Sequence, residues 1–552
     1  MTDARTTSVE KARTTQSSPA APVGSKSSRS VVLAVLCLCV IAIYMDAMIV
    51  NLALPSLSRE LGATTSGLQW IVDAYALTFA ALVLAAGSLG DRFGRRSMLL
   101  TGLVIFTVAT GVGALCDTTG QLIAARTVMG LGAAMIYPST LSILTNVFTD
   151  RRERAAAIGV WGAVSGIGVV LGPIIGGLLL EHFWWGSVFV VVVPVGAVCI
   201  GLVAILVPDS RDPAAPRLDL PGLVLSTAAI GLLVYTIIEA PDRGWLGTAS
   251  ILGFIGAAVL LVALVFRELN TEHPMLDVRL FGNLRFSAAC GIITITFFTL
   301  NGFTFLVTQY FQFLKAYTPL GAGVRLIPVA VAIIVGSVVG GKLVVKVGTR
   351  AVVTVGLVLM GIAYAWFSSD DVQTDYWLIA LQMVLIGLGI GSVAVPATEA
   401  IMSVVPAAKA GIGSAMNDAT RLFGGALGIA VVGSVHHSLY LDKLGDDSVT
   451  GLPAEILDRS RDSVGSALQQ AAGLAAQGKA ELGEALHDAA NTAFLNGFET
   501  ACLVVTGICA AAAIAAAALL PSTPPVTAAE EADATDETTT TDADDRADAA
   551  RG

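Results

Sequence analysis

The sequence predicts an all-α membrane protein of fourteen transmembrane helices, arranged as two six-helix bundles with a pair of linker helices between them. Three observations carry this. The 552 residues are 55% hydrophobic and only 13% charged, with a mean hydropathy of +0.77; a soluble domain carries about 25% charged residues, so the charges are too few for a water-facing surface. Apolar runs long enough to cross a hydrocarbon core, about 20 residues as a helix, recur along the chain. Lys and Arg collect on alternate sides of those runs.

The runs fall at approximately 31–54, 67–89, 97–116, 121–147, 155–180, 186–207, 219–238, 248–266, 286–314, 321–345, 351–368, 376–402, 409–436 and 496–520. With the N-terminus inside, the predicted cytoplasmic segments hold most of the basic residues. Examples are Arg92, Arg95 and Arg96; Arg151, Arg152 and Arg154; Arg267, Arg279 and Arg285; Lys342, Lys346 and Arg350. The even number of crossings puts both termini on the cytoplasmic side of the membrane. Loop 437–495 is then outside, and its Ala-rich part suits a helix lying at the interface.

Residues 1–30 and 521–552 read as disordered cytoplasmic tails. The first is rich in Ser, Thr and Ala and too polar for a signal peptide. The second is low-complexity and acidic, and it supplies most of the net charge of −10. The seven cysteines lie in apolar runs without metal-ligand spacing, and read as small buried hydrophobes. No basic stripe points to nucleic acid. No catalytic constellation, metal site or cofactor motif points to an enzyme; His436–His437 lacks further ligands.

The chain repeats itself. "GSLGDRFGRR" (87–96) aligns without gaps with "GKLVVKVGTR" (341–350), each after the second span of a six-span unit. "GLGAAMIYPSTLSI" (130–143) resembles "GLGIGSVAVPATEAI" (387–401) with one inserted residue. The offset predicts bundles over 31–207 and 271–520, the linker helices lying in 208–270. Two related halves sharing a midplane site are a transporter design.

In "GSLGDRFGRR" the glycines allow a tight turn between helices, and Asp91 is placed to pair with an arginine or cap a helix. "GVVLGPIIGG" (168–177) puts glycines and a proline in mid-helix, which frees backbone groups and lets a neighbouring helix approach closely. Together these resemble the major facilitator superfamily. The first motif, through Gly87, Asp91, Arg92, Gly94, Arg95 and Arg96, is similar to that family's cytoplasmic latch. The second, through Gly168, Gly172, Pro173, Gly176 and Gly177, is similar to the antiporter signature of its drug exporters. "LIAARTVMGLGAA" (122–134) resembles the fourth-span motif, which implicates Arg126 in proton transfer, with Met129 where a Gln is usual. "YMDAMIVNLALP" (44–55) and "WIVDAYAL" (70–77) resemble the first two spans of the fourteen-span drug:proton antiporters, close to quaternary-ammonium exporters.

The resemblance implies a monomeric exporter of hydrophobic or cationic drugs or antibiotics, driven by a proton gradient and needing no cofactor. Intramembrane carboxylates are its candidate coupling groups. Asp46 is a coupling residue by resemblance; a static partner for an arginine, or a place in a watery vestibule, is the structural alternative. Asp418 matches an acidic position of those exporters, but Asn417 and Leu422 stand where further acids occur there, and Arg421 shares its helical face. Asp73 divides between vestibule and function, and Glu399 reads as interfacial. On span nine, Phe298, Asn301, Phe305, Gln309 and Gln312 follow helical spacing and suit a loose pocket for amphiphiles. Export of one endogenous antibiotic, or a membrane sensor or channel, are the rival readings.

Overall fold

Each half of the chain begins with a helix gripped along its length by the fifth helix of the same half, and the rest of the architecture follows from that repeated pairing. The structure is a computed structural model, and it describes residues 26–211, 219–271, 278–404, 410–445, 449 and 451–520. Of the tails predicted at 1–30 and 521–552, residues 1–25 and 521–552 lie outside the described residues, whereas residues 26–30 are not a loose tail but helix continuous with the first apolar run.

In the first half α1 (Lys26–Glu60), α2 (Thr65–Phe93), α3 (Arg95–Gly113), α4 (Thr119–Val147) and α5 (Arg151–His182) are followed by a sixth crossing built from α6 (Ser187–Val190) and α7 (Val192–Leu206). The linker pair is α8 (Leu220–Arg243) and α9 (Thr248–Asn270). The second half runs through α10 (Leu284–Gln309) with a π-helical turn at Tyr310–Leu314, α11 (Pro319–Arg325) with α12 (Ile327–Val347), α13 (Thr349–Phe367), α14 (Tyr376–Val404) and α15 (Ala410–Lys443). Two short helices, α16 (Ala454–Asp462) and α17 (Val464–Ala476), precede α18 (Ala480–Leu519). Among the described residues, thirteen stretches are long and apolar enough to span a membrane, and α5 adds a shorter apolar segment, Leu171–His182. Fourteen crossings result.

Local chemistry sets the boundaries. Thr64, Thr118, Thr318 and Ser463 accept hydrogen bonds from backbone N–H groups in the first turns of α2, α4, α11 and α17, and Asp219 does so for α8. Such caps satisfy donors that a helix start leaves unpaired. The turns between α2 and α3 and between α12 and α13 rest on Gly94 at φ +110° and Gly348 at φ +83°. These are the glycines that the repeat aligns, and both hold a backbone conformation that side chains resist.

The packing repeats as the sequence does. α2 and α3 lie on α4 as α12 and α13 lie on α14, and α1 lies on α5 as α10 lies on α15. One end of the bundle, the loop face, carries α16 and α17; α2 leaves it at Thr65, whose hydroxyl donates to Asp462 O at 3.2 Å. The other end, the motif face, carries the α2–α3 turn some 29 residues along α2, about 43 Å away at 1.5 Å per residue.

The segment 437–495 differs from an interfacial helix. α15 continues to Lys443 and α18 starts at Ala480, so the predicted loop is mostly extended transmembrane helix plus α16 and α17. Those two pack on the bundle: Ser463 and Ser58 share a 2.9 Å hydrogen bond, and Tyr440 donates to Ser460 O at 2.8 Å. Runs of Ala carry high helix propensity, so nothing in 480–495 stops the final helix from extending.

Candidate functional site

The centre of the first half is an ion pair with no access to solvent. Arg126 of α4 donates to the Asp46 carboxylate of α1 at 2.6 Å, and both side chains are fully buried. Arg126 Nε donates to Ile71 O at 3.0 Å, its NH1 lies 3.7 Å from Met129 Sδ, and its guanidinium sits 4.3 Å from the centroid of the Tyr75 ring. Asp46 Oδ1 and Arg126 NH2 have no hydrogen-bond partner among the described residues. A buried pair held by so few auxiliary bonds gains its charge attraction against a desolvation cost of several kcal/mol per ion.

The glycines of "GVVLGPIIGG" clamp this pair in place. A Cβ at Gly168 would come within 2.8 Å of Tyr44 Cβ, and one at Gly172 within 2.7 Å of Met48 Cβ. At Gly176 it would meet Ile49 at 3.0 Å. Spaced by four, these residues form one bare stripe of α5 pressed onto the α1 residues that flank Asp46. Gly177 turns to the other half, where its Cβ would reach within 2.6 Å of Leu320 Cα, and Pro173 O receives Gly323 of α11 as closely. The motif is thus a seam both within the first half and between the halves. Gly424 and Gly428 of α15 press on Thr294 and Phe298 of α10 in the same way. The sequence reading missed this second stripe, although its four-residue spacing was visible.

Toward the motif face from the ion pair lies an aromatic cluster. Tyr137 meets Tyr44 at 6.3 Å, Phe79 at 5.8 Å and Trp161 at 5.0 Å between ring centroids. The half-buried Asp418 and Arg421 of α15 lie within electrostatic reach of the Tyr44 and Tyr137 hydroxyls, across the gap between halves. Arg421 NH2 donates to Thr398 Oγ1 at 3.2 Å and its guanidinium sits 5.1 Å from the Phe297 ring. Asp418 and Arg421 share a face without an ion pair within 4.0 Å among the described residues. Glu399 is exposed.

Asp73 is a separate case. It is fully buried, and neither carboxylate oxygen has a hydrogen-bond partner among the described residues. It lies one turn from Gln69, which donates to Ile429 O, Ala430 O and Ser434 Oγ of α15. Ile71 and Tyr75, which hold Arg126, are on the opposite side of α2, since residues two apart on a helix do not share a face.

The span-nine residues pack on neighbouring helices or hydrogen-bond to helix backbone. Phe298 is packed under Gly428; Asn301 donates to Phe297 O and Gln309 to Phe305 O, each at 3.0 Å. Phe305 is packed against Gly433, and Gln312 donates to Leu52 O of the first half at 2.9 Å. Gln312 lies in the seam between the halves near the loop face, and Phe298 and Asn301 lie in the packing of α10 on α15.

The α2–α3 turn is tied to its own half. Arg95 N donates to Ser210 O at 2.8 Å and Arg95 NH1 to Ser142 O at 3.3 Å, and Arg96 donates to Ala204 O. Gly87 lies against Pro138, and Arg92 is exposed. The Asp91 side chain lies outside the described residues.

Comparison with known proteins places these features in company. The family model described as "Major Facilitator Superfamily" matches residues 36–429. "Multidrug resistance protein Stp" of Mycobacterium tuberculosis is 35% identical over 395 residues, covering 71% of this chain and 73% of its own. "Methyl viologen resistance protein SmvA" of Salmonella typhimurium is 36% identical over 84% of this chain and 92% of its own. The "Tetracenomycin C resistance and export protein" of Streptomyces glaucescens is 34% identical over 71% and 73%. Among solved structures, a bacterial homologue of the human lysosomal transporter Spinster superposes with a TM-score of 0.62 at 19% identity, covering 90% of this chain and 98% of that one.

Proposed function

The chain belongs to the major facilitator superfamily, a family of membrane transporters, and on that premise we propose that it exports hydrophobic, often cationic, drugs or antibiotics in exchange for protons. The observation that supports this most is the fully buried Asp46–Arg126 pair, clamped by the glycine stripe of α5 and adjoining an aromatic cluster. Its relatives include proteins named for multidrug resistance, methyl viologen resistance and tetracenomycin C export.

In this reading the motif face is cytoplasmic and the loop face external. The halves meet near the loop face through Gln312–Leu52, Gly177–Leu320 and Gln69–Ile429. That arrangement suits a state closed to the outside and open to cytoplasmic substrate. A lipophilic cation enters among Tyr44, Phe79, Tyr137 and Trp161, whose ring faces attract positive charge, with Asp418 opposite. After the molecule reorients, a proton from outside neutralises Asp46. Arg126 is then released toward Tyr75 and Ile71 O, and the empty carrier returns. A proton and a cation that oppose each other at one site suffice for exchange.

The test is transport by the purified full-length protein in vesicles with an imposed pH gradient. Ethidium uptake and proton efflux are followed together. Uptake that needs the gradient and moves protons the other way supports antiport. Uptake that runs down its own gradient alone, with no proton movement, refutes it in favour of a facilitative channel.

A further inference from the structure

We propose that the seam between α2, α8 and α15 is the proton entry route from the loop face to Asp73, with His437 as its relay and the linker helix α8 as one of its walls. The proposal rests on the antiport reading above and adds a path and a purpose for the linker pair.

The seam begins at the loop face with Asp242 of α8, whose side chain is 49% exposed. Its Oδ2 accepts from Ser66 of α2 at 2.9 Å, and its Oδ1 lies 3.2 Å from His437 Nε2 of α15. His437 is only 2% exposed, and its Nδ1 has no hydrogen-bond partner among the described residues. One turn deeper on α15, Ser434 Oγ donates to Ile237 O of α8 at 2.8 Å and accepts from Gln69 of α2 at 3.3 Å. One turn deeper again on α2 is Asp73. From Ser66 to Asp73 is a depth of about 10 Å at helical rise.

Everything along this line below Asp242 is buried, and its polar atoms are repeatedly left without protein partners: His437 Nδ1, Gln69 Oε1 and both oxygens of Asp73. Buried polar atoms of native proteins are satisfied by protein or by ordered water. Four such atoms in file between three helices describe a short water-bearing path. The rest of the seam is dry, since Val234, Ile237 and Ile238 of α8 pack with Ala430 of α15 beside Trp70 and Leu77 of α2. The path ends at Asp73, a carboxylate that no cation among the described residues holds.

The charged and titratable groups facing His437 are Asp242 and its neighbour Arg243 from α8, Asp462 from α16 and His436 on its own helix; α2 contributes the Ser66 hydroxyl. The proton is captured at Asp242, the exposed end of this cluster. The captured proton converts the pair to imidazolium and carboxylate. The Nδ1–H bond then breaks, its electron pair returning to the ring, and the proton passes to water in the seam. An equivalent proton reaches Asp73, which becomes a neutral carboxylic acid. Each passage carries one proton and no electrons.

The test reads protonation itself and needs no substrate. The full-length protein in lipid nanodiscs is given a rapid acid jump, and the carboxylic acid C=O stretch that Asp73→Asn removes is followed by infrared spectroscopy. His437→Ala is expected to slow its appearance about tenfold, and added imidazole to restore most of the rate. His437→Gln keeps a hydrogen bond to Asp242 but carries no proton and leaves no room for imidazole, so it should be slow and not rescued. An unchanged rate in His437→Ala, a slow His437→Ala whose rate imidazole does not restore, a His437→Gln as fast as the wild type, or no band assigned to Asp73 overturns the route. Unfolding is monitored through the thermal midpoint, and a misfolded Ala variant leaves His437→Gln to decide. Failure of the antiport reading shows separately, as wild-type vesicles that do not exchange ethidium for protons while the Asp73 band still rises.

Discussion

Arg126 reaches the Asp46 carboxylate at 2.6 Å from a helix eighty residues away in sequence, and neither side chain touches solvent. Removing one member leaves the other charge buried and unpaired, at a cost of about 3–5 kcal/mol, whereas removing both is often tolerated. Asp46→Asn is therefore expected to lose proton-coupled export and to lower the thermal midpoint. Asp46→Asn combined with Arg126→Gln should regain much of the stability and none of the coupled transport. Melting and vesicle transport measured on the wild type and both variants check this. A double variant that transports normally would make the pair structural.

The stripe on α5 gives a second expectation. Ala at Gly172 would place a methyl 2.7 Å from Met48 Cβ and 3.1 Å from Met45 O, with helix backbone on both sides and little room to yield. Overpacking of this kind costs about 1–3 kcal/mol, and here it pushes α1 away at the residues flanking Asp46. Gly172→Ala should lower both stability and turnover. Gly120→Ala, at the start of α4 with nothing within 4 Å of the new Cβ, should change neither. Equal effects at the two positions would show that the close approach is unimportant.

How far this site was legible in the sequence depends on the range of the interactions. Gly94 and Gly348 were found by aligning ten-residue stretches, and the structure gives both positive φ at equivalent turns. Chain-local constraints of that kind leave a readable mark. Asp46 and Arg126 were each singled out, but their pairing spans α1 to α4 and no local period encodes it. Asp73 stood out as a carboxylate in an apolar run; that none of the described residues hydrogen-bonds to it is a property of three packed helices. The span-nine residues show the reverse difficulty. Their helical spacing is real, yet spacing does not say whether a polar face meets a cavity or the backbone of another helix, and Gln312 meets Leu52 O.

Sidedness is tested through cysteine chemistry. All seven native cysteines are buried, so they give a low labelling background. Gln477, between α17 and α18, is exposed, and Gln477→Cys in intact cells should react with a membrane-impermeant maleimide. A cysteine introduced at Ser17, in the N-terminal tail, should react only after the cells are opened. The opposite pattern would invert the topology and, with it, the direction of transport.

Asp370 provides an expectation for pH and stability outside the membrane spans. It sits in the turn between α13 and α14, where burial raises its carboxyl to about 6, against the opposing effects of a 2.8 Å hydrogen bond from Gln382 and the nearby Lys315. Its Oδ2 has no hydrogen-bond partner among the described residues. Because the folded value is raised above the unfolded one of about 3.8, the folded protein binds the extra proton between these values. Its contribution to stability is present in full below about 4 and is lost as pH rises toward and past 6. Asp370→Asn keeps the oxygen that accepts from Gln382 and carries no charge to desolvate. The variant should melt above the wild type at pH 7, with the difference shrinking steadily as the pH is lowered to 4. Thermal midpoints of both proteins in detergent across that range decide the matter. A gap that stays constant with pH would mean that the Asp370 carboxyl is not the titrating group, and a variant less stable at pH 7 would mean that attraction to Lys315 outweighs the cost of burial.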